Sequence, residues 1–201
     1  ITALGPEAHR LAVERTTHRQ LLRSCGKPLT DTEVRIEQSI DAAEADVVGE
    51  ILVRSPKLML GYWRRDDATK ERFEDGWFRT GDLGYLDQEG YLYIVDRKND
   101  MVISGGENIF PFEVEEVLCS HPLVLEASVF GVADPRWVEK LVAAVVLKPG
   151  AILSPEQIIE HVRAHLPGYK TPKVVHLVDT LPKSPVGKVL RKTLREQFAN
   201  S

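Results

Sequence analysis

Over residues 1–25 the chain shows no regular apolar period, and no element is predicted there. Two short segments, the alternating residues 33–36 and the mostly apolar 49–53, predict strands, separated by an acidic, alanine-rich stretch at 41–46 that reads as a loop. Residues 66–73 predict a short helix stopped by Asp75-Gly76. Residues 84–86 and 91–95 flank Asp87-Gln88-Glu89-Gly90, a turn with Gly at its end, and together predict a hairpin. Its second strand runs into Asp96-Arg97-Lys98-Asn99-Asp100, an unbroken polar stretch that suits a linker between two folding units.

Past that break the pattern becomes α+β. Pro111 suits a first helical position, with Glu113, Glu115 and Glu116 in the early turns, where the helix dipole favours anions. Val114, Val117 and Leu118 form an i, i+3, i+4 stripe, and His121-Pro122 ends the helix. Residues 124–132 and 141–147 are rich in β-formers. Ser154-Pro155-Glu156-Gln157 reads as a capping box opening a second helix, with Ile158, Ile159, Val162 and Leu166 facing inward and Pro167-Gly168 as its stop. Residues 173–178 predict a third strand, and 189–198 a final basic helix. The prediction for this half is a compact α+β unit of about 100 residues, a three-stranded sheet with flanking helices.

Composition narrows the function classes. The 201 residues are 43% hydrophobic and 28% charged, enough to bury a core and room for one large or two small domains. The longest purely apolar run, residues 141–147, falls far short of the ~20 residues a membrane span needs. No charged-then-apolar signal peptide opens the chain. Cys25 and Cys119 stand far apart outside any Cys-x-x-Cys pattern, which argues against a disulfide scaffold or a zinc knuckle. A net charge of −4 is not that of a general nucleic-acid binder. The reading is of a cytoplasmic protein without a transmembrane segment. The first residue is Ile1 rather than Met, which raises the expectation of a longer parent protein.

Charge is unevenly spread. Residues 1–98 carry 15 Lys+Arg against 18 Asp+Glu, residues 99–167 carry 4 against 10, and residues 168–201 carry 7 against 2. A basic tail on an acidic body is either a solvated face or a local anion site.

Several signatures fail when tested. His161 and His165 have metal-ligand spacing, but Val162 stands where a zincin has its Glu and no third ligand is evident, so no metal site is assigned. Pro182-Lys183-Ser184-Pro185-Val186-Gly187-Lys188 ends like a phosphate loop, yet Pro182 replaces the first Gly and Val189 the magnesium-binding Ser or Thr. No Gly-x-Ser-x-Gly elbow occurs. Three features remain: a carboxylate after a Gly in Thr80-Gly81-Asp82-Leu83, the Gly pair of Ser104-Gly105-Gly106-Glu107-Asn108, and Lys188 behind a stiff, Pro-rich loop.

In order along the chain, these residues resemble the adenylate-forming superfamily of acyl-CoA synthetases, peptide-synthetase adenylation domains and firefly luciferase. The resemblance runs from Gly61-Tyr62-Trp63 through Gly76-Trp77-Phe78-Arg79-Thr80-Gly81-Asp82-Leu83 and Asp96-Arg97-Lys98-Asn99-Asp100 to Gly105-Gly106-Glu107-Asn108-Ile109. It continues through Gly131-Val132-Ala133-Asp134 and Leu181-Pro182-Lys183 to Gly187-Lys188 and Arg191. Upstream, Ser24-Cys25-Gly26-Lys27-Pro28 and Gly49-Glu50-Ile51 are similar to the segments that lead into these motifs. The wording around Gly105-Gly106 is most similar to the acyl- and aryl-CoA ligases.

The resemblance implies that residues 1–98 are the β-rich end of a large nucleotide-binding domain and residues 99–201 a mobile C-terminal cap. It implies an ATP-dependent ligase that joins a carboxylic acid to CoA through an acyl-adenylate. Asp82 matches the carboxylate that takes the ribose hydroxyls, and acceptor-only chemistry suits a diol. Arg97 matches a second nucleotide contact. Lys188 matches the catalytic lysine between substrate carboxylate and α-phosphate, which assigns the basic tail to a phosphate. Asn99 falls at the hinge about which the cap turns, and Gly105 and Gly106 would line the tunnel for the thiol arm. Trp137, Tyr169 and Lys173 match CoA-nucleotide positions of some aryl-CoA ligases. Two departures stand out: the hinge is usually Asp or Lys, and Thr171 stands where one subgroup has a phosphate-binding Arg.

The acyl pocket, the phosphate loop and the Mg2+-binding Glu of the family correspond to nothing in these residues. This chain alone is therefore expected to be an inactive fragment, and the acid and oligomeric state stay open. The alternatives are an adenylation domain of a peptide synthetase, a luciferase-like oxygenase, or a stand-alone cap or binding module acting in trans.

Overall fold

The computed structural model describes residues 1–37 and 48–199. The loop expected at 41–46 lies outside the described residues. The chain forms two compact units, Ile1–Lys98 and Asn99–Ser201. No helix among the described residues is long and apolar enough to cross a membrane.

The first unit opens with strand β1 (Thr2–Ala3), helix α1 (Pro6–Glu14) and a 3-10 segment (Thr16–Arg23). Sequence reasoning missed α1 because its apolar stripe is thin: Ala12 is its one buried residue. Pro6 at the first turn with Glu7 beside it was the available signal. Strand β2 (Lys27–Pro28) pairs with β1. The main sheet follows, from β3 (Glu33–Glu37), β4 (Gly49–Arg54), and, after helix α2 (Asp66–Arg72), β5 (Phe73–Glu74), β6 (Trp77–Leu86) and β7 (Leu92–Arg97). Its order is β3-β4-β6-β5, with β7 also on β6, and every pairing is antiparallel.

Asp75-Gly76 does more than stop α2. Both residues have positive φ, +49° and +79°, the conformation of a two-residue hairpin turn, and they reverse β5 into β6. The β6–β7 hairpin forms around Asp87, whose Oδ1 accepts the N–H groups of Glu89 and Tyr91 at 3.0 and 2.9 Å. Ile51, Val53 and Leu92 are the buried centre of this unit, a small core.

The linker expected at 96–100 is shorter than its polarity suggests. Asp96 and Arg97 still belong to β7, and Lys98–Asp100 is a single 3-10 turn. Asp96 is buried, its Oδ1 accepting the N–H of Arg97 at 2.8 Å, so this first polar residue is a satisfied strand end, whereas Arg97, Lys98 and Asn99 face solvent.

In the second unit, β8 (Val102–Ser104) and β9 (Glu107–Ile109) form a hairpin around Gly105-Gly106. Then come α3 (Pro111–Ser120), β10 (Val124–Asp134), β11 (Val138–Leu147), α4 (Pro155–His165), β12 (Val174–Leu177) and α5 (Arg191–Gln197). The three-stranded sheet expected here is five-stranded: β12 runs parallel to β11, β10 antiparallel, and β8 joins the start of β11 at Val138↔Ser104. The two extra strands are three residues each, too short to leave an alternating pattern around a Gly pair.

The apolar run 141–147 is explained by double burial. Leu141, Ala143 and Val145 face a core with Val114 and Leu118 of α3 and Ile158 and Val162 of α4. Val142, Ala144 and Val146 face a second core with Phe130, Leu181 and Leu194 of α5. A strand covered on both faces must be apolar at every position. The capping box is complete: Ser154 Oγ accepts the Gln157 N–H at 3.3 Å, and Gln157 Oε1 accepts the Ser154 N–H at 2.9 Å.

Candidate functional site

Asp82 sits in a bulge of β6. Between the pairs Glu50↔Leu83 and Leu52↔Arg79, β4 advances by two residues while β6 advances by four. Thr80-Gly81-Asp82 thus stand opposite the single residue Ile51, and bulges of this kind turn a side chain away from its regular strand direction. Thr80 Oγ1 pins the bulge, donating to the Ile51 carbonyl at 2.8 Å and accepting the Asp82 N–H at 3.0 Å. Gly81 has φ +77°, and a Cβ there would stand 2.7 Å from Nη1 of Arg72. The positive φ is what favours glycine, since the end of the flexible Arg72 side chain can give way.

On β7, Arg97 is the register partner of Asp82. Its Nε lies 3.6 Å from Asp82 Oδ1, an ion pair without a close hydrogen bond, so both groups keep their bonding capacity. The Asp82 side chain is 37% exposed and that of Arg97 64%. The structure thus brings together the two residues that the sequence offered for a nucleotide.

Beneath the bulge lies Glu50, which sequence reasoning did not single out as a site residue. It is 5% exposed, and its carboxylate accepts from Arg79 Nη2 and Lys98 Nζ at 2.8 Å each and from the Gly81 N–H at 3.3 Å. Burial works to raise its pKa, but hydrogen bonds from Lys98 and Arg79 outweigh burial and hold it below the ordinary carboxylate value. Arg79 is in turn shared with Glu37 and Glu74. A Glu inside the otherwise apolar run 49–53 was the signal available in the sequence.

In the second unit, the Gly pair forms the tip of the β8–β9 hairpin, at φ +62° and +87°. The Gly105 N–H donates to the Trp137 carbonyl at 2.9 Å, and a Cβ on Gly105 would stand 3.2 Å from the Trp137 ring. Cations flank that ring: the Arg136 guanidinium at 4.7 Å and Lys173 Nζ at 5.3 Å from its centroid. Asp134 Oδ1 shapes the turn by accepting the N–H groups of Arg136 and Trp137 at 2.8 and 3.1 Å. Gly105, Trp137 and Lys173 therefore converge. Tyr169 lies on the 3-10 turn Gly168–Lys170, with Lys170 over its ring at 5.6 Å. Thr171 is buried, and its Oγ1 has no hydrogen-bond partner among the described residues.

Lys188 projects from a closed loop. A bridge between Lys183 and Val189 seals it, Ser184 and Lys188 are joined by a 2.8 Å bond from the Ser184 N–H to the Lys188 carbonyl, and Gly187 turns at φ +81°. The neighbouring cations are engaged. Lys183 pairs with Glu126 at 2.6 Å, Lys170 with Glu113 at 2.6 Å, and Arg191 with Glu115 and Asp100 at 2.8 and 3.0 Å. Among the described residues, Lys188 is exposed and its ammonium has no partner.

Asn99 lies in the turn Lys98–Asp100, at the boundary of the two units. Among the described residues no group of His, Cys, Asp or Glu is disposed to hold a metal ion. His161 instead contacts the Val117 carbonyl at 3.0 Å and Ser120 Oγ at 3.1 Å.

The profile of the AMP-binding enzyme C-terminal domain matches residues 113–188. A 2-succinylbenzoate–CoA ligase of Bacillus cytotoxicus is 49% identical over 173 residues, 86% of this chain and 36% of that enzyme. The o-succinylbenzoate CoA synthetase of Bacillus subtilis, solved with its acyl-adenylate intermediate, is 41% identical with a TM-score of 0.84, covering 97% of this chain and 38% of that one. The amide bond synthetase McbA of Marinactinospora thermotolerans is 39% identical with a TM-score of 0.85, covering 98% and 40%. The chain thus spans little more than a third of the length of these relatives. With the bulge at Asp82, the Gly-pair hairpin and the loop of Lys188 in their order, it belongs to the adenylate-forming enzymes and carries the C-terminal portion of one.

Proposed function

We propose that the chain is part of an ATP-dependent carboxylic acid–CoA ligase, with residues 1–98 completing the nucleotide site and residues 99–201 acting as a mobile cap. Asp82 accepts hydrogen bonds from the ribose hydroxyls, for which an exposed acceptor-only carboxylate is suited. Arg97 steadies Asp82 and reaches the nucleotide with its free donors. Lys188 places its charge between the substrate carboxylate and the α-phosphate, where negative charge gathers as the acyl-adenylate forms. After rotation at Asn99, the Gly105-Gly106 tip leaves room for a thiol arm because neither residue has a side chain. Trp137, flanked by Arg136 and Lys173, offers an aromatic face and cations to the CoA nucleotide, with Tyr169 nearby in sequence to Lys173. No group of this chain is assigned to Mg2+.

The observation that carries this reading is Lys188, an unpaired ammonium on a closed, stiff loop in a segment whose other cations are engaged. An unpaired cation on a fixed loop is prepared to meet an anion brought to it. The test is ATP–pyrophosphate exchange and acid-dependent AMP release in the complete enzyme. Lys188→Ala is expected to lower exchange by about 10²–10³-fold, and full exchange in that variant would overturn the assignment. The pure 201-residue chain is expected to show none; exchange from it that is lost on Lys188→Ala would refute its dependence on further sequence.

A second reading concerns the acceptor. The similarity to an amide bond synthetase is as extensive as that to a CoA ligase, so an amine acceptor competes with CoA. Offering the complete enzyme CoA and amines in parallel separates thioester from amide formation.

A further inference from the structure

Each side of Asn99 is tied to its own unit by separate ion pairs. Before it, Lys98 Nζ donates to Glu50 Oε2 at 2.8 Å, and Glu50 is itself buried and held by Arg79 and the Gly81 N–H. After it, Asp100 Oδ2 accepts from Arg191 Nη1 at 3.0 Å, and Asp100 Oδ1 stands 3.5 Å from Arg195 Nη2. Arg191 is fixed by its other nitrogen, Nη2, which reaches both oxygens of Glu115 at 2.9 and 2.8 Å. Glu115 Oε1 also accepts the Val129 N–H at 2.8 Å, fastening the set to β10. The side chains of Arg191, Asp100 and Glu115 are all less than a quarter exposed.

We propose that Glu50 and Arg191 are positioning residues that hold Lys98 to the first unit and Asp100 to the second, confining rotation between the units to the backbone torsions of Asn99. The proposal rests on the hinge reading given above. A run of five polar residues would ordinarily spread a rotation over many torsions and leave the cap in a broad distribution. Side-chain anchors one residue away on either side concentrate the rotation on the φ/ψ pair between them. Asn suits that position because it enters the left-handed region more readily than other side chains. A pivot with so few torsions stops in few places, which is what alternation between two half-reactions requires. The clamp on the first unit also reaches the nucleotide site, since the carboxylate that takes Lys98 takes the Gly81 N–H beside Asp82. Arg191 cannot be replaced by Lys in this role, because its planar fork bridges two carboxylates at once.

The test is residual dipolar couplings on the isotopically labelled 201-residue chain. The Lys98 N–H is expected to fit the alignment tensor of the first unit and that of Asp100 the tensor of the second. Arg191→Lys should release Asp100 while couplings in β10 and β11 persist. Glu50→Gln should release Lys98 while those in β6 and β7 persist; should that variant unfold the first unit, Lys98→Met removes the same pair and leaves Glu50 in place. A Lys98 or Asp100 that fits neither tensor in the unaltered chain, or a single tensor for both units, overturns the proposal. In the complete enzyme, Arg191→Lys should change the ratio of thioester formation to adenylation by roughly threefold or more, whereas a merely structural role would lower both alike. Asn99→Pro separates the two ideas: intact thioester formation there removes the hinge reading, whatever the couplings show.

Discussion

Glu50→Ala is expected to destabilise the first unit by about 3 kcal/mol. The change removes an acceptor that is 5% exposed and serves three donors. Loss of the charge-assisted bond to Arg79 costs about 2 kcal/mol, and the Gly81 N–H left without its acceptor adds about 1 kcal/mol. The Lys98 term is small, because that ammonium is 53% exposed and water takes the place of the carboxylate. Arg79 keeps Glu37 and Glu74, which spares the larger penalty of a stranded charge. For a unit of this size, 3 kcal/mol lowers the melting temperature by roughly 15 °C. Thermal unfolding followed by resolved resonances of β4 and β6 reads it out. Glu33→Ala, which breaks an exposed pair with Arg54, serves as the control and is expected to leave the transition unchanged. The sign with pH follows from linkage. Because the folded pKa of Glu50 lies below 4.5, its contribution is complete above that value and is lost as pH falls toward the folded one. Glu50→Ala should therefore flatten the acid limb of the stability curve. A variant as stable as Glu33→Ala, with an unchanged acid limb, would refute the reasoning.

Three further outcomes are expected. Lys188→Ala should lower adenylation by the complete enzyme by about 10²–10³-fold, the scale of a lost transition-state charge partner, yet leave thermal unfolding of the chain unchanged, since its ammonium is exposed and unpaired. Gly105→Ala should cost the second unit about 1–2 kcal/mol from its left-handed backbone, and the Cβ placed 3.2 Å from the ring should shift Trp137 fluorescence. Stability of the second unit should fall between pH 7 and pH 5. Burial, then His161 and Lys148, lowers the pKa of His121; burial, then Lys140, lowers that of His176. Unfolding lets both bind protons more readily, so their contribution is complete above the ordinary value of 6.5 and lost below it. His176→Leu should reduce that slope in denaturant titrations at the two pH values.

The parts of the fold legible in sequence were those whose signals are local. The Ser154–Gln157 box, Pro111 at a helix start and the Asp87–Gly90 turn each declare themselves within a few residues. Helix α1 and the strands β8 and β9 were not legible, since one buried alanine and two three-residue strands leave no period to read. At the candidate site, Asp82, Arg97 and Lys188 stood out through motif order, but the reason Asp82 and Arg97 meet is a register between β6 and β7 that includes a bulge. Glu50 and Arg191 act through partners 29 to 91 positions away in the sequence. No window along the chain holds both ends of such a bond.

Strand β11 carries a consequence for how this protein varies among its relatives. From Leu141 to Val146 each side chain is pressed into one core or the other, so a substitution on either face meets packed neighbours. No position there is silent, although none touches a candidate ligand. The Lys188 loop is the opposite case, its side chains mostly exposed and constrained by what comes to it from outside. Slow drift along β11 and slow drift at Lys188 would thus record two different selective pressures, one for volume and one for charge. Leu141→Ile or Val142→Leu changes should accumulate in pairs with their cross-sheet neighbours, whereas a replacement at Lys188 has no neighbour able to compensate.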